Sequence, residues 1–303
     1  MTELVLTGLR GSHTLGALAA FGLLRVASRL DLPQPVRLSW IAQPDWVARL
    51  SFPEPVTEER LLDGLVPAVK ARAASPELAW RDDLKPLPAE YHDYARAWLA
   101  EAAPDRREIL DFLAAFGAEP LMMRNGKGLK PTALDMTSAS NKFLRDLRKA
   151  VTQLAGATNL PARLVEALFG PWRQQDDVFA MGWNCEAERL HAHEALAPTK
   201  LKHGSVIGAI WLAYESLPLF PTASVAGKLA TTAFDAQGGA FTWPIWETPL
   251  ELMTVRSLLG LAELTMARPP LASLRLRGIR AVYRSQRAKL MQGRATLRPA
   301  VLV

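Results

Sequence analysis

Apolar residues recur at helix spacing over residues 14–30. Leu15, Leu18, Ala19, Gly22 and Leu23 fall on one stripe, which Phe21, Leu24 and Val26 widen. Residues 4–7 read as a short strand before it, and Gly8-Leu9-Arg10-Gly11-Ser12-His13 as the turn between them. Ser12 and Thr14 are the expected N-caps. Gly16 and Gly22 each lower helicity by about 1 kcal/mol relative to alanine, so this helix must gain from close packing. Pro33 and Pro35 end it, and Val36-Arg37-Leu38-Ser39-Trp40 alternates as a half-buried strand.

Residues 42–105 are rich in Pro, Ala and charge. Leu61, Leu62, Leu65 and Val69 predict a helix over 58–74, and further helices are expected over 90–101 and 105–116, the last closed by Gly117. A glycine-containing turn at 122–131 leads into Leu134-Asp135-Met136-Thr137-Ser138-Ala139-Ser140-Asn141. The helix expected over 142–154 turns Phe143, Leu144, Leu147 and Val151 inward. A buried strand is expected over 179–183, a helix over 202–217, strands around 241–246, a helix over 249–265, and a basic strand or hairpin over 271–283. The expected class is α+β and mainly helical, with short strands at the N-terminus, in the middle and near the C-terminus. The 303 residues read as one large domain, with a weaker subdivision into 1–120 and 121–303.

Composition narrows the function classes. With 49% hydrophobic and 22% charged residues the chain is of globular type. No apolar run reaches the roughly 18 residues of a membrane span, and the start lacks the basic n-region of a secretory signal. The single cysteine, Cys185, excludes an intrachain disulfide and a cysteine-rich zinc site. A cytoplasmic protein is expected. The net charge of +6 is unevenly placed: nine of the 36 basic residues lie from Arg268 onward, with no acid among them. Without that segment the chain is slightly acidic, so the charge pattern speaks of partners rather than fold.

Catalytic constellations are weak. The turn at 8–13 offers backbone N–H groups and Arg10 to an anion, but it lacks GxGxxG spacing and reads first as a structural turn. His191, His193 and His203 are ligand types that zinc accepts. Their spacing is not HExxH, and they read more simply as polar residues at a helix mouth. Asp82-Asp83 and Asp176-Asp177 read as solvated turns, and Gly126-Lys127-Gly128 is not GxxxxGK[ST]. No cofactor is expected. Two basic regions remain. The first holds Arg124, Lys127, Lys130, Lys142, Arg145, Arg148 and Lys149 against Asp135 and Asp146. The second is the acid-free run with Arg275, Arg277, Arg280, Arg284, Arg287 and Lys289, where Tyr283 offers a stacking surface. Of the nine tryptophans, Trp172, Trp183, Trp211, Trp243 and Trp246 read as core or interface anchors, with Trp243 and Trp246 weighed second as a stacking platform.

The stretch Leu6-Thr7-Gly8-Leu9-Arg10-Gly11-Ser12-His13-Thr14-Leu15-Gly16-Ala17, continuing to Arg25, and then Val36 to Trp40, resembles the start of proteins from type I-G (formerly I-U) CRISPR–Cas operons. Residues 134–144 and Glu215-Ser216-Leu217-Pro218-Leu219-Phe220-Pro221-Thr222 are similar to the same group, which includes large-subunit-like and helicase–nuclease-extension-like families. The matches cover about a quarter of the chain and consist of glycine and apolar patterns. The resemblance implies a part in RNA-guided interference, touching crRNA or target DNA and other effector subunits. Helicase and His-Asp nuclease motifs are absent from the sequence, and the chain is short for a full large subunit. The expected function is therefore a non-catalytic nucleic-acid-binding subunit without a membrane partner. The alternatives are a protein-binding adaptor and, last, a metal-dependent nuclease built on His191 and His193.

Overall fold

The computed structural model describes residues 2–100, 107–138, 141–185, 204–289 and 295–303. Strand β1 (Thr2–Arg10) leads through the glycine turn into helix α1 (Thr14–Ala27), and β2 (Arg37–Gln43) and β3 (Asp45–Phe52) form a hairpin. β3 pairs antiparallel with both β1 and β2, setting Leu50 opposite Leu4 on one side and Leu38 on the other. β11 (Leu250–Glu251) adds to β2, giving the order β1-β3-β2-β11. β3 is absent from the expected elements because its alternation is hidden in a stretch dominated by Pro, Ala and charge.

Every residue of α1 is buried, Arg25 included. The helix crosses α8 (Ile207–Glu215), which is equally buried. Gly22 makes the crossing possible: a Cβ there would stand 2.7 Å from the carbonyl carbon of Leu212 and closer still to its oxygen. His13, rather than Ser12 or Thr14, caps α1, its Nδ1 accepting from the Gly16 amide at 3.3 Å. Ser12 instead donates to the Asp45 carboxylate.

Helices α2 (Glu58–Ala73), α3 (Pro76–Ala79), α4 (Pro88–Ala100), α5 (Arg107–Phe116), α6 (Phe143–Ala155) and α7 (Leu160–Phe169) surround this pair. α6 buries Phe143, Leu144, Leu147 and Val151, as its spacing predicts. The strand expected over 179–183 does not form, because Met181 and Gly182 take φ of 56° and 70°, outside the β region. The segment is a turn that buries Trp183. β6 (Asp176–Asp177) pairs with β7 (Gly204–Ser205), and Asp176 Oδ2 accepts from the Ile207 amide at 2.8 Å, so the described helix there begins at Ile207.

The expected helix over 249–265 divides into β11, α9 (Leu252–Leu259) and a 3₁₀ turn (Ala262–Thr265), with Gly260 at the break. The expected basic strand begins as a helix, α10 (Leu271–Leu276). Gly278, at φ 81°, turns the chain into β12 (Ile279–Lys289). β8 (Thr222–Val225) and β9 (Lys228–Thr231) form a separate hairpin, and β12 pairs with β10 (Ala240–Trp246) on one side and with β13 (Ala295–Leu297) and β14 (Val301–Leu302) on the other. Helix makes up 41% and strand 25%, so the fold is α+β but not mainly helical.

One hydrophobic cluster draws side chains from Leu4 through Leu297. Trp183, Trp211, Trp243 and Trp246 are buried in it, so Trp243 and Trp246 are core residues and form no exposed platform. A smaller cluster gathers Leu264, Leu274, Ile279 and Val282. Among the described residues no helix is long and apolar enough to cross a membrane.

Candidate nucleic-acid interface

The first basic region starts on a two-stranded hairpin of β4 (Gly117–Met122) and β5 (Leu129–Pro131). Its tip is closed by the Met123 amide on Gly128 O at 2.9 Å and by Asn125 Oδ1, which accepts from the Lys127 amide at 3.1 Å. Gly128 is obligatory. Its φ is 128°, and a Cβ would run into the backbone of Lys85. The tip is therefore anchored at its base while Arg124, Lys127 and Lys130 are exposed, with no ion pair among the described residues.

On α6 the basic residues divide. Lys149 is exposed without an ion pair among the described residues, and Arg145 lies at the surface 3.0 Å from Asp146. Lys142 is half-buried and reaches Asp83 at 3.4 Å. Arg148 donates to Leu78 O at 3.1 Å and Arg81 O at 2.7 Å, and meets Asp82 at 3.3 Å. It ties α3 and the residues after it to α6, so part of its hydrogen-bonding capacity is structural.

The C-terminal run is divided more sharply. Arg284 is buried, and its guanidinium donates to Thr242 Oγ1 and to the carbonyls of Leu264, Met266 and Ala267 at 2.5–3.2 Å. It closes the end of the 3₁₀ turn. Arg287 donates to Asp135 O at 2.9 Å and Ala133 O at 3.4 Å. Burial pulls its pKa down and the charge of Asp135 opposes that pull. The buried Asp135 carboxyl is raised by desolvation, against hydrogen bonds from Thr137 and the charges of Lys85 and Arg287. Arg277 pairs with Glu263 at 2.8 Å and Arg280 with Glu247 at 2.5 Å. Arg275 and Lys289 are exposed, with no ion pair among the described residues. Tyr283 is buried and stacked on Trp243, 6.0 Å between centroids, and so offers no open face to a base.

Arg10 ends β1 beside a cavity of about 430 Å³ lined also by Thr7, Gly170 and Trp172. The α1 N-terminus behind it is closed to an anion, because Thr14 to Gly16 are buried and His13 occupies the Gly16 amide.

A second constellation carries no sequence motif. Arg25, Arg72, Glu77, Glu108 and Glu215 come from α1, α2, α3, α5 and α8. Glu215 bonds Arg25 at 2.7 Å and Arg72 at 2.5 Å, and Arg72 also bonds Glu77. Glu108 accepts from Arg25 at 2.9 Å, from Arg72 and from Arg29, all at Oε1. The Phe112 ring lies under both buried guanidiniums, with centroid distances of 5.0 and 4.7 Å, and stacks on Tyr214. Burial alone would raise Glu108; Arg72, the Arg29 hydrogen bond and Arg25 overcome it and hold the carboxyl at about 2. For Arg72 burial works against the charge, but Glu215 and Glu77 drive the pKa above its usual value. The network borders a cavity of about 730 Å³, at which Trp98 of α4 stands.

His191, His193 and His203 lie outside the described residues. Among those described, no three His, Cys, Asp or Glu side chains group as a metal site. Asp83 is held by Arg81 and Lys142, and Asp176 is buried against Arg163. No known protein-family model matches the chain, and no curated protein matches it.

Proposed function

We propose that this chain is a non-catalytic nucleic-acid-binding subunit that holds the phosphate backbone through the β4–β5 hairpin and the outer face of α6. The observation that carries the reading is the hairpin tip, where Arg124, Lys127 and Lys130 are presented without acidic partners on a rigidly closed turn. Fixed geometry and unpaired charge suit a backbone contact, since phosphates need cations in position and no base readout. Lys149 and Arg145 add exposed cations on α6, Arg145 beside Asp146, and Arg268, Arg275, Lys289 and Arg298 of the C-terminal run are exposed with no ion pair among the described residues. The resemblance to type I-G CRISPR–Cas proteins would put this grip in RNA-guided interference, alongside crRNA or target DNA and other effector subunits.

The test is binding to labelled single-stranded DNA, duplex DNA and RNA across a salt series with magnesium present. The triple change Arg124→Glu, Lys127→Glu, Lys130→Glu is expected to reduce the salt slope by roughly 2 on single strands. Absence of binding at low salt would refute the reading and favour a protein partner, and magnesium-dependent cleavage would revive a nuclease.

A further inference from the structure

The 730 Å³ cavity falls within the size range of small-ligand sites. Its upper walls are apolar, from Val26, Leu30, Ala71 and Ile109, and the indole of Trp98 stands beside them. Its floor is the arginine–glutamate network, whose cations are already engaged. Arg72 uses Nε and both terminal nitrogens on Glu77, Glu108 and Glu215, and Arg25 uses both of its own on Glu108 and Glu215. Three arginines facing three glutamates leave no surplus charge, so the floor suits a neutral ligand rather than an anion or a cation.

Three polar atoms of the lining take no hydrogen bond among the described residues: Ser75 Oγ and Glu77 Oε2 are buried, and Glu108 Oε2 belongs to a side chain that solvent reaches. The three arginines converge on Glu108 Oε1, while Oε2 takes no hydrogen bond among the described residues, and the side chain is 24% exposed. The carboxylate stays ionised at any ordinary pH, so this oxygen is a permanent acceptor. A flat, neutral heterocycle with an N–H donor on its edge meets all three demands.

We propose that the cavity takes a nucleobase bearing an exocyclic amino group, stacked on Trp98 and donating to Glu108 Oε2. This rests on the nucleic-acid reading above and adds a base site to the phosphate grip. The cavity adjoins the segment that packs on α6: Glu77 of α3 lines it, while Leu78 O and Arg81 O of the same segment are bonded to Arg148 of α6. Trp80 stacks on Tyr94 at 4.5 Å, and Tyr94 meets Trp98 edge-on at 6.1 Å, so an aromatic run joins the α6 side to the cavity.

The experiment compares a dA 12-mer, a dT 12-mer and an abasic 12-mer at one low salt concentration, on the wild type and on Trp98→Ala, with the fold checked by circular dichroism. The dA strand is expected to bind about tenfold more tightly than the abasic strand, with dT between them. Trp98→Ala should bring dA to within about twofold of abasic while leaving abasic binding unchanged. Equal affinity for dA and abasic strands, an undiminished dA advantage in Trp98→Ala, or dT binding as tightly as dA would overturn the proposal. If no strand binds, the phosphate grip fails, and equilibrium dialysis with labelled adenosine decides the cavity alone. Saturable binding lost in Trp98→Ala upholds it, and no binding overturns it.

Discussion

Replacing Glu215 by leucine removes the acceptor shared by two arginines in the interior. Arg25 loses its 2.7 Å bond and Arg72 its 2.5 Å and 3.1 Å bonds, at a site where Glu215 is 2% exposed. Breaking a buried pair from one side costs about 3–5 kcal/mol, because the remaining charge can neither leave nor find water. At about 2.1 cal/mol/K per residue over the chain, each kcal/mol corresponds to roughly 1.6 °C, so Tm should fall by about 5–8 °C. The assay is urea and thermal unfolding at pH 7 by far-UV circular dichroism on Glu215→Leu, Arg25→Met and the double variant. The double variant should be more stable than the sum of the single losses by about 1 kcal/mol or more, since each change removes the charge that the other leaves unpaired. A Tm drop below about 1 °C, or strict additivity, would show that the network is not coupled and that this reasoning is wrong.

Further outcomes follow from other contacts. Gly22→Ala must push α1 off the Leu212 backbone and should cost about 3 kcal/mol in urea unfolding; a neutral result would contradict the close crossing. Glu108 is depressed from 4.5 to about 2, so the stability it contributes is complete above about pH 4.5 and is lost as pH falls toward 2. Urea midpoints from pH 6 to 2 should fall steeply in that window, and Glu108→Gln should flatten the slope. Arg284→Met leaves the buried Leu264 carbonyl and Thr242 hydroxyl short of a donor and should lose about 1–3 kcal/mol, whereas Arg275→Glu should stay within about 0.5 kcal/mol.

The buried helix at 14–27 was legible because its apolar residues surround the helix and its glycines demanded a close neighbour, which α8 supplies at Gly22. The inward face of α6 was legible for the same reason. The fate of the arginines was not. Arg275 and Arg284 look alike in a run without acids, yet one reaches solvent and the other holds carbonyls that belong to the turn at 262–267. Composition cannot separate them, because the carbonyls are brought there by tertiary structure. The network of Arg25 and Glu215 left one readable trace. Each is the single charged residue of an otherwise uncharged helix, and the two are opposite in sign. Two such helices that must both be buried can neutralise those charges most readily against each other.

The contrast between α1, buried on every side, and α4, none of whose residues is buried, also sets a hierarchy of motion. Opening α1 requires unfolding the whole core, so its amides should exchange only at the global rate. α4 is held nearer the surface, by Tyr91, which donates to Leu113 O at 2.8 Å and Gly117 O at 3.3 Å, and by the contacts of Tyr91 and Tyr94 with Trp80. The wall of the cavity that carries Trp98 thus belongs to a helix without a buried residue, while its charged floor draws in part on α1, which is buried throughout. Amides of α4 should therefore exchange faster than those of α1, and a ligand in the cavity would slow the first set more than the second.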